Sequence, residues 1–473
     1  MFKKIGLTFF ASAYTAATQI LILVASARFL TAEELGWVSI GGMVLALSNI
    51  FIDSGLGTFI IYKRDLRREA LNTLLLASIA LSTISYGIVV TFSNSIEVFF
   101  ESKGLAPVLE EYALILLLTP FLSQLQALLV LRQRLSQLAI VDIISRTLAV
   151  VVTIAGLYYN YGPIAIIAGL ITSYLLKIIL SQIALPKDLK VKPSSLDFTV
   201  MPEAWNYCKF QVGSQILSYI RTYIDSLIVG KSFDVSQLGT YSLAKDLVGK
   251  VPMVLTPIYS KLLLPIMSKV KDNPSTRFEL FSGANRIVLF VNALVYTVIL
   301  FSSDWVVNLL YGQNDFVADA IKILAVFYMI RSCGLVNGIY LQSVGRVGKD
   351  FYWNMFAVVV FPISMYAFSQ FGVLEMLIGM ATTQGIFFIL SFIYFHKGDY
   401  PLTPMKYTLE STSVFSVGIA SLVILSILEL RLGFLMSIPL SLISSLLLIF
   451  ILIQLFGGKQ GITRFALIYK GNQ

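Results

Sequence analysis

Residues 28–39 read Arg28-Phe-Leu-Thr-Ala-Glu-Glu-Leu-Gly-Trp-Val-Ser39, and residues 231–242 read Lys231-Ser-Phe-Asp-Val-Ser-Gln-Leu-Gly-Thr-Tyr-Ser242. The two stretches align without gaps, and each joins one apolar run to the next. Further on, Tyr161-Gly162 and Gly169 match Phe371-Gly372 and Gly379. Both matches are spaced by about 200 residues, so they describe one internal repeat. Each copy holds six apolar runs. Six is even, so the copies cross a bilayer in the same sense, related by a pseudo-two-fold axis along the membrane normal.

The 473 residues are 57% hydrophobic and 13% charged, with a mean hydropathy of +0.82. The charged share is about half that of a globular protein. The chain reads as an all-α polytopic membrane protein. Windows of about 20 apolar residues place fourteen transmembrane helices. They form an N-lobe over residues 1–190 and a C-lobe over 200–400, with two more helices and a tail in 401–473. The runs 36–61, 108–131 and 317–343 each count as one helix, and 408–428 and 432–456 as the last two. Pro120, Pro362, and Pro252, Pro257 and Pro265 in or after the eighth helix are expected to be kinks.

The loops alternate in charge. One side receives Lys63, Arg67 and Arg68, then Arg132 and Arg134, then Lys187, Lys190 and Lys192. The other receives Glu33, Glu34, Glu97, Glu101, Glu110, Glu111, Asp304 and Asp315. This phasing puts both termini in the cytoplasm. It also reads the net charge of +9 as positive-inside topology rather than a nucleic-acid footprint. Lys3 and Lys4 precede a stretch longer than a signal-peptide core, so the first helix is expected to be retained.

Enzyme chemistry finds little to build on. Cys208 and Cys333 lie in separate apolar runs, and His396 is the lone histidine. That leaves no zinc site, redox pair or histidine-based triad. No P-loop, dinucleotide fingerprint or GxSxG occurs, and no loop is long enough for a catalytic domain. No cofactor is expected. Coupling to a proton or sodium gradient would supply the energy.

Charges within the apolar runs point to transport. Arg221, Lys245 and Arg331 fall inside spans, at roughly 2.5–3.5 kcal/mol each on the insertion scale. Such cations imply a wet cavity that holds an anion. Thr8, Ser12, Thr15 and Gln19 on the first helix, and Gln211, Ser214, Ser218, Arg221 and Asp225 on the seventh, recur at spacings of three and four. Each set therefore shares a face, which lines either a cavity or a helix contact. Asp142 and Arg146, Arg221 and Asp225, and Asp246 and Lys250 stand four apart and can pair along one helix. Lys177 is expected to reach the interface. Arg331 has no acid within four residues, and Lys245 has only a poorly aligned Asp246. Asp53, Asp225 and Asp246 are the candidates for ion coupling.

The segments Ala25-Ser-Ala-Arg-Phe-Leu-Thr-Ala-Glu-Glu-Leu-Gly36, Asp225-Ser-Leu-Ile-Val-Gly230 and Leu238-Gly-Thr-Tyr-Ser-Leu-Ala244 carry a family resemblance. With the helix count and repeat, the chain resembles the multidrug/oligosaccharidyl-lipid/polysaccharide exporter superfamily. Within it, the chain is similar to the polysaccharide transporters, the Wzx-like flippases. The resemblance implies two lobes around a cationic cavity. It implies an undecaprenyl-pyrophosphate-linked oligosaccharide as substrate, moved across the bacterial inner membrane by alternating access. The cargo would feed O-antigen, capsule or exopolysaccharide synthesis, with polysaccharide polymerase machinery and membrane lipids as partners. By position, Arg221, Lys245 and Arg331 match the expected C-lobe lining, and Arg28 and Arg146 are N-lobe candidates. A lipid II flippase and a multidrug exporter of the same superfamily are the alternatives. An exporter of organic cations would favour an acidic or neutral cavity.

Overall fold

The computed structural model describes residues 2–53, 55–63, 66–132, 134–185, 195–269, 274–312, 314–343 and 347–396. The two C-terminal helices expected in 401–473 lie outside the described residues. Within them the chain is helical, with no strand. The first half comprises α1 (Phe2–Phe29), α2 (Ala32–Asp53), α3 (Leu56–Lys63), α4 (Arg68–Phe100), α5 (Leu105–Leu116), α6 (Thr119–Leu131), α7 (Leu135–Tyr158) and α8 (Pro163–Ala184). The second comprises α9 (Met201–Ser232), α10 (Val235–Lys269), α11 (Pro274–Tyr311), α12 (Asp315–Cys333), α13 (Leu335–Ser343), α14 (Val347–Ser369) and α15 (Val373–His396).

The first twelve apolar windows all appear, in order. Three that read as single helices are broken in two. The window 36–61 divides into α2 and α3 beside Gly55, whose φ is +78°. The window 108–131 divides into α5 and α6, with Pro120 in the first turn of α6. Proline has no amide to donate, so it suits the start of a helix better than its interior. Pro120 thus opens a new helix rather than kinking a continuous one. The window 317–343 divides at Gly334, whose amide bonds back to the Arg331 carbonyl at 3.1 Å.

Among the described residues, eight helical stretches are long and apolar enough to cross a membrane, so this is a multi-pass membrane protein. The helices that carry Arg221, Lys245 and Arg331 (α9, α10 and α12) are not among the eight. Polarity is concentrated where the cations are.

Apolar surface buried between helices in lipid is not withdrawn from water, so close packing must hold the helices together. The repeat shows how. Gly169 of α8 sits against Thr153 and the Ala149 carbonyl of α7, where a Cβ would collide. Its counterpart Gly379 of α15 sits against the Phe368 ring of α14 in the same way. Gly162 and Gly372, one residue before α8 and α15, both have positive φ, at +59° and +144°. That backbone is open to glycine and strained for other residues.

The described chain divides into two compact units, one ending at Leu243 and one beginning at Ala244. The packing division falls inside α10, beyond the end of the first repeat. The cause is that α9 packs on α2, α3 and α4. Leu56, Phe59, Ile60, Leu71, Leu125 and Leu128 form an apolar cluster that also takes in Ala204 and Cys208 of α9. Cys208 is therefore a buried core thiol.

Candidate functional site: buried charge in two units

In the first unit, Lys177 of α8 does not run out to the interface. Its Nζ lies 2.8 Å from Asp142 Oδ1 on α7, with the lysine side chain 13% exposed. Arg146, one turn along α7, lies within electrostatic reach of both Asp142 and Tyr174. Its Nε is buried with no hydrogen-bond partner among the described residues. Two cations thus share one carboxylate, leaving a net positive site. Around them, Tyr174 lies against Asn49, and Asn49 Oδ1 accepts from Thr119 Oγ1 at 3.0 Å. On α1, Tyr14 Oη and Thr147 Oγ1 of α7 are 2.6 Å apart. Thr15 and Gln19 are half-buried, and Gln19 Oε1 has no partner among the described residues. The side chains of Thr8 and Ser12 lie outside the described residues. Arg28 is exposed in the last turn of α1.

Asp53 ends α2 at the helix break and accepts from Ser123 Oγ of α6. Gln211 of α9 packs beside Gly55, the first described residue after the break. The break thus brings together Asp53 and Gln211, which the sequence offered for separate roles. A cavity of about 10 Å³ lies alongside, lined by Ser78, Ser123 and Gln124 among others. It has room for about one water.

The stripe on α9 is unevenly placed. Ser214, Ser218 and Arg221 are exposed, whereas Asp225 is 6% exposed. Its carboxylate accepts from Tyr241 Oη at 2.6 Å and from the Ser226 amide at 2.8 Å. The buried acid thus takes in a hydroxyl from the next helix, a partner that the i, i+4 spacing along α9 did not suggest. Tyr219 Oη donates to the Met43 carbonyl at 3.1 Å, and its ring lies 4.8 Å from that of Tyr223.

In the second unit, Lys245 is half-buried and Asp246 exposed, within electrostatic reach of Tyr311. Arg331 is not in mid-helix as the sequence implied. It occupies the last turn of α12, three residues before Gly334. The negative end of the helix dipole favours a cation there. Its guanidinium sits 5.8 Å from the Phe327 ring and 5.9 Å from the Tyr328 ring. Arg331 makes no salt bridge among the described residues. Nearby is Tyr296, fully buried, whose hydroxyl has no hydrogen-bond partner among them. Lys322, earlier on α12, does pair, with Asp304 at 2.9 Å and Asp319 at 3.2 Å. No cluster of metal-ligating side chains occurs among the described residues.

The chain matches a family model described as polysaccharide biosynthesis protein over residues 25–314. It is similar to the amylovoran biosynthesis protein AmsL of Erwinia amylovora, with 31% identity over 223 residues, 46% of this chain and 57% of that protein. It is also similar to the lipopolysaccharide biosynthesis protein WzxC of Escherichia coli strain K12. There identity is 23% over 239 residues, 50% of this chain and 49% of that protein. The chain spans about half the length of the curated relatives it matches. Among solved structures, the lipid II flippase MurJ in an inward closed conformation shares the fold, with a TM-score of 0.71 at 13% identity. That likeness covers 96% of this chain and 99% of MurJ.

Proposed function

The chain belongs to the polysaccharide biosynthesis protein family, and from that premise we propose that it is a flippase for a lipid-linked oligosaccharide. The cargo is an undecaprenyl-pyrophosphate-linked repeat unit. It crosses the bacterial inner membrane by alternating access, for O-antigen, capsule or exopolysaccharide synthesis. The observation that carries this reading is Arg331: a cation in an apolar run, held by ring faces rather than by a carboxylate. A guanidinium bonds a phosphate oxygen pair through two charge-assisted hydrogen bonds. Held on rings, it keeps those donors for an incoming anion.

In the second unit Lys245 is the further cationic candidate, and in the first unit Arg221, Arg146 and Arg28 are the candidates. The exposed hydroxyls of Ser214 and Ser218, with Gln211, Gln19 and Thr15, suit sugar hydroxyls. Asp225 and Asp53 are the groups that would take up a proton or sodium ion, since each carboxylate already accepts from a hydroxyl, of Tyr241 and of Ser123. The basic loops and both termini face the cytoplasm, and the acid-rich turns face outward. The repeat divides the helices into an N-lobe over 1–190 and a C-lobe over 200–400.

Deleting the gene is expected to abolish the surface polysaccharide and to leave its lipid-linked precursor on the inner leaflet. Normal surface polysaccharide in the deletion strain would overturn the reading. Arrested cell-wall synthesis with intact surface polysaccharide would point to lipid II as cargo instead.

A further inference from the structure

We propose that the seam between residues 32–36 and 235–239 is the closed outer gate of the transport cycle, with Lys231 as its latch. The proposal rests on the flippase reading for what passes the gate and for which face is outer.

The seam joins the first turns of α2 and α10. A Cβ built on Gly36 would collide with the carbonyl oxygen and Cγ1 of Val235. A Cβ built on Gly239 would collide with the carbonyl oxygen of Ala32 and stand 2.9 Å from the Gly36 amide nitrogen. The internal repeat relates Arg28 to Lys231, Ala32 to Val235 and Gly36 to Gly239. Exchanging the two copies therefore turns one contact into the other. The seam is isologous, as at a two-fold dimer interface, although both sides belong to one chain. The local two-fold runs between the glycines.

Such a contact has the properties a gate requires. Backbone lies on backbone, so neither water nor a sugar fits between. Only glycine permits that approach at either position. At Gly36 the side chain that reaches across is the short Val235, which has little to interlock with. A buried carboxylate or an interdigitated leucine layer would resist opening far more strongly.

The turn between α4 and α5 secures the seam on both sides. Lys231 Nζ donates to the Phe99 carbonyl at 2.9 Å and to Glu101 Oε1 at 2.8 Å, and lies 5.1 Å over the Phe99 ring. From α2, Trp37 Nε1 donates to Ser102 Oγ, and Ser102 Oγ donates to Glu33 Oε1, each at 2.8 Å. The α2 side is thus tied by partly buried bonds. The α9 side is tied by an exposed ion pair, with Lys231 at 41% and Glu101 at 80% exposure. Exposed pairs are the weaker kind, so the Lys231 pair is the first of these ties to release, before the packing of Phe100 on Gly230 of α9.

The test starts from a functional protein with Cys208 and Cys333 replaced by alanine. Val235 is 3% exposed, so Val235→Cys should react poorly with a membrane-impermeant maleimide added to cells. Adding Gly239→Val, which props the seam apart, should raise labelling several-fold at unchanged protein level. Unchanged labelling would overturn the gate. In a second arm, Glu101→Cys and Lys231→Cys are joined by a short bis-methanethiosulfonate cross-linker, which forms two reducible disulfides and releases methanesulfinate. Polysaccharide export should stop when they are joined and return on reduction. Undiminished export from fully cross-linked protein would overturn the gate while leaving the flippase reading intact. Export that persists without the chain would sink that reading, while the labelling arm still decides the seam.

Discussion

Lys177 in the first unit gives its charge to a carboxylate on the adjacent helix, at 2.8 Å. Arg331 in the second unit rests on two aromatic rings, 5.8 Å and 5.9 Å away. Both are cations in apolar runs with no acid within four residues. An ion pair neutralises its charge locally, and what remains is structure. A cation over ring faces gains about 0.5–2 kcal/mol, and half-buried Arg331 keeps its charge without a carboxylate among the described residues. Its field also stays available to a third party. The difference separates a cation that builds the fold from one left available to a ligand.

The contrast can be broken most directly at Arg331. Arg331→Ala is expected to abolish surface polysaccharide while leaving protein level and thermal stability in detergent near those of the parent. Arg331→Lys should restore only part of the export, because lysine keeps the charge but loses the planar fork that lies on the rings. Full export from Arg331→Ala would remove this arginine from the mechanism.

The reverse pattern is expected at Asp142. Asp142→Asn leaves Lys177 and Arg146 facing each other without their carboxylate. That should cost about 2 kcal/mol, between the values for exposed and buried pairs. Adding Lys177→Met should recover part of the loss, as the second arm of a double-mutant cycle in detergent. Additive losses would mean that the pair contributes no coupling.

Tyr241→Phe tests the neutral donor on buried Asp225. A loss of about 1–2 kcal/mol is expected from the missing hydrogen bond, measured by chemical unfolding in detergent. Smaller still is the effect at Lys322, whose side chain is 35% exposed between two acids. Lys322→Ala should shift stability by less than about 1 kcal/mol.

The least effect is expected from mild acid on the Lys231–Glu101 pair. The hydrogen bond and charge of Lys231 hold the Glu101 carboxyl below its ordinary value of 4.5. A depressed carboxylate keeps its contribution above that ordinary value and loses it as pH falls through the lowered one. Labelling of Val235→Cys, taken at each pH relative to a fully exposed control cysteine, should therefore stay flat from neutral pH down to the ordinary carboxylate value and rise only below it. A rise near neutral pH would assign the latch to another group.

Much of this was legible without coordinates. The first twelve apolar windows each found a helix, and the repeated glycines at 169 and 379, and at 162 and 372, hold equivalent places. The breaks were not legible. Pro252, Pro257 and Pro265 lie within the unbroken α10, whereas Pro120 begins a helix. A proline removes one hydrogen bond, and neighbouring helices decide whether the chain continues past it. For the same reason Arg331 read as mid-helix until Gly334 proved to end α12. The ion pairs drawn along single helices were incomplete, since i, i+4 spacing shows only which groups can meet. Asp142 is bonded to Lys177, 35 residues away, and Asp225 to Tyr241 on the next helix.

Sequence by itself determined where the chain is helical and apolar, and that it repeats. In lipid a backbone must satisfy its own hydrogen bonds locally, so composition and spacing suffice. Tertiary structure alone decided which charges are spent and which are kept, and that Gly36 and Gly239 close on each other's helix. Those outcomes depend on partners from distant helices, and no local interaction specifies them.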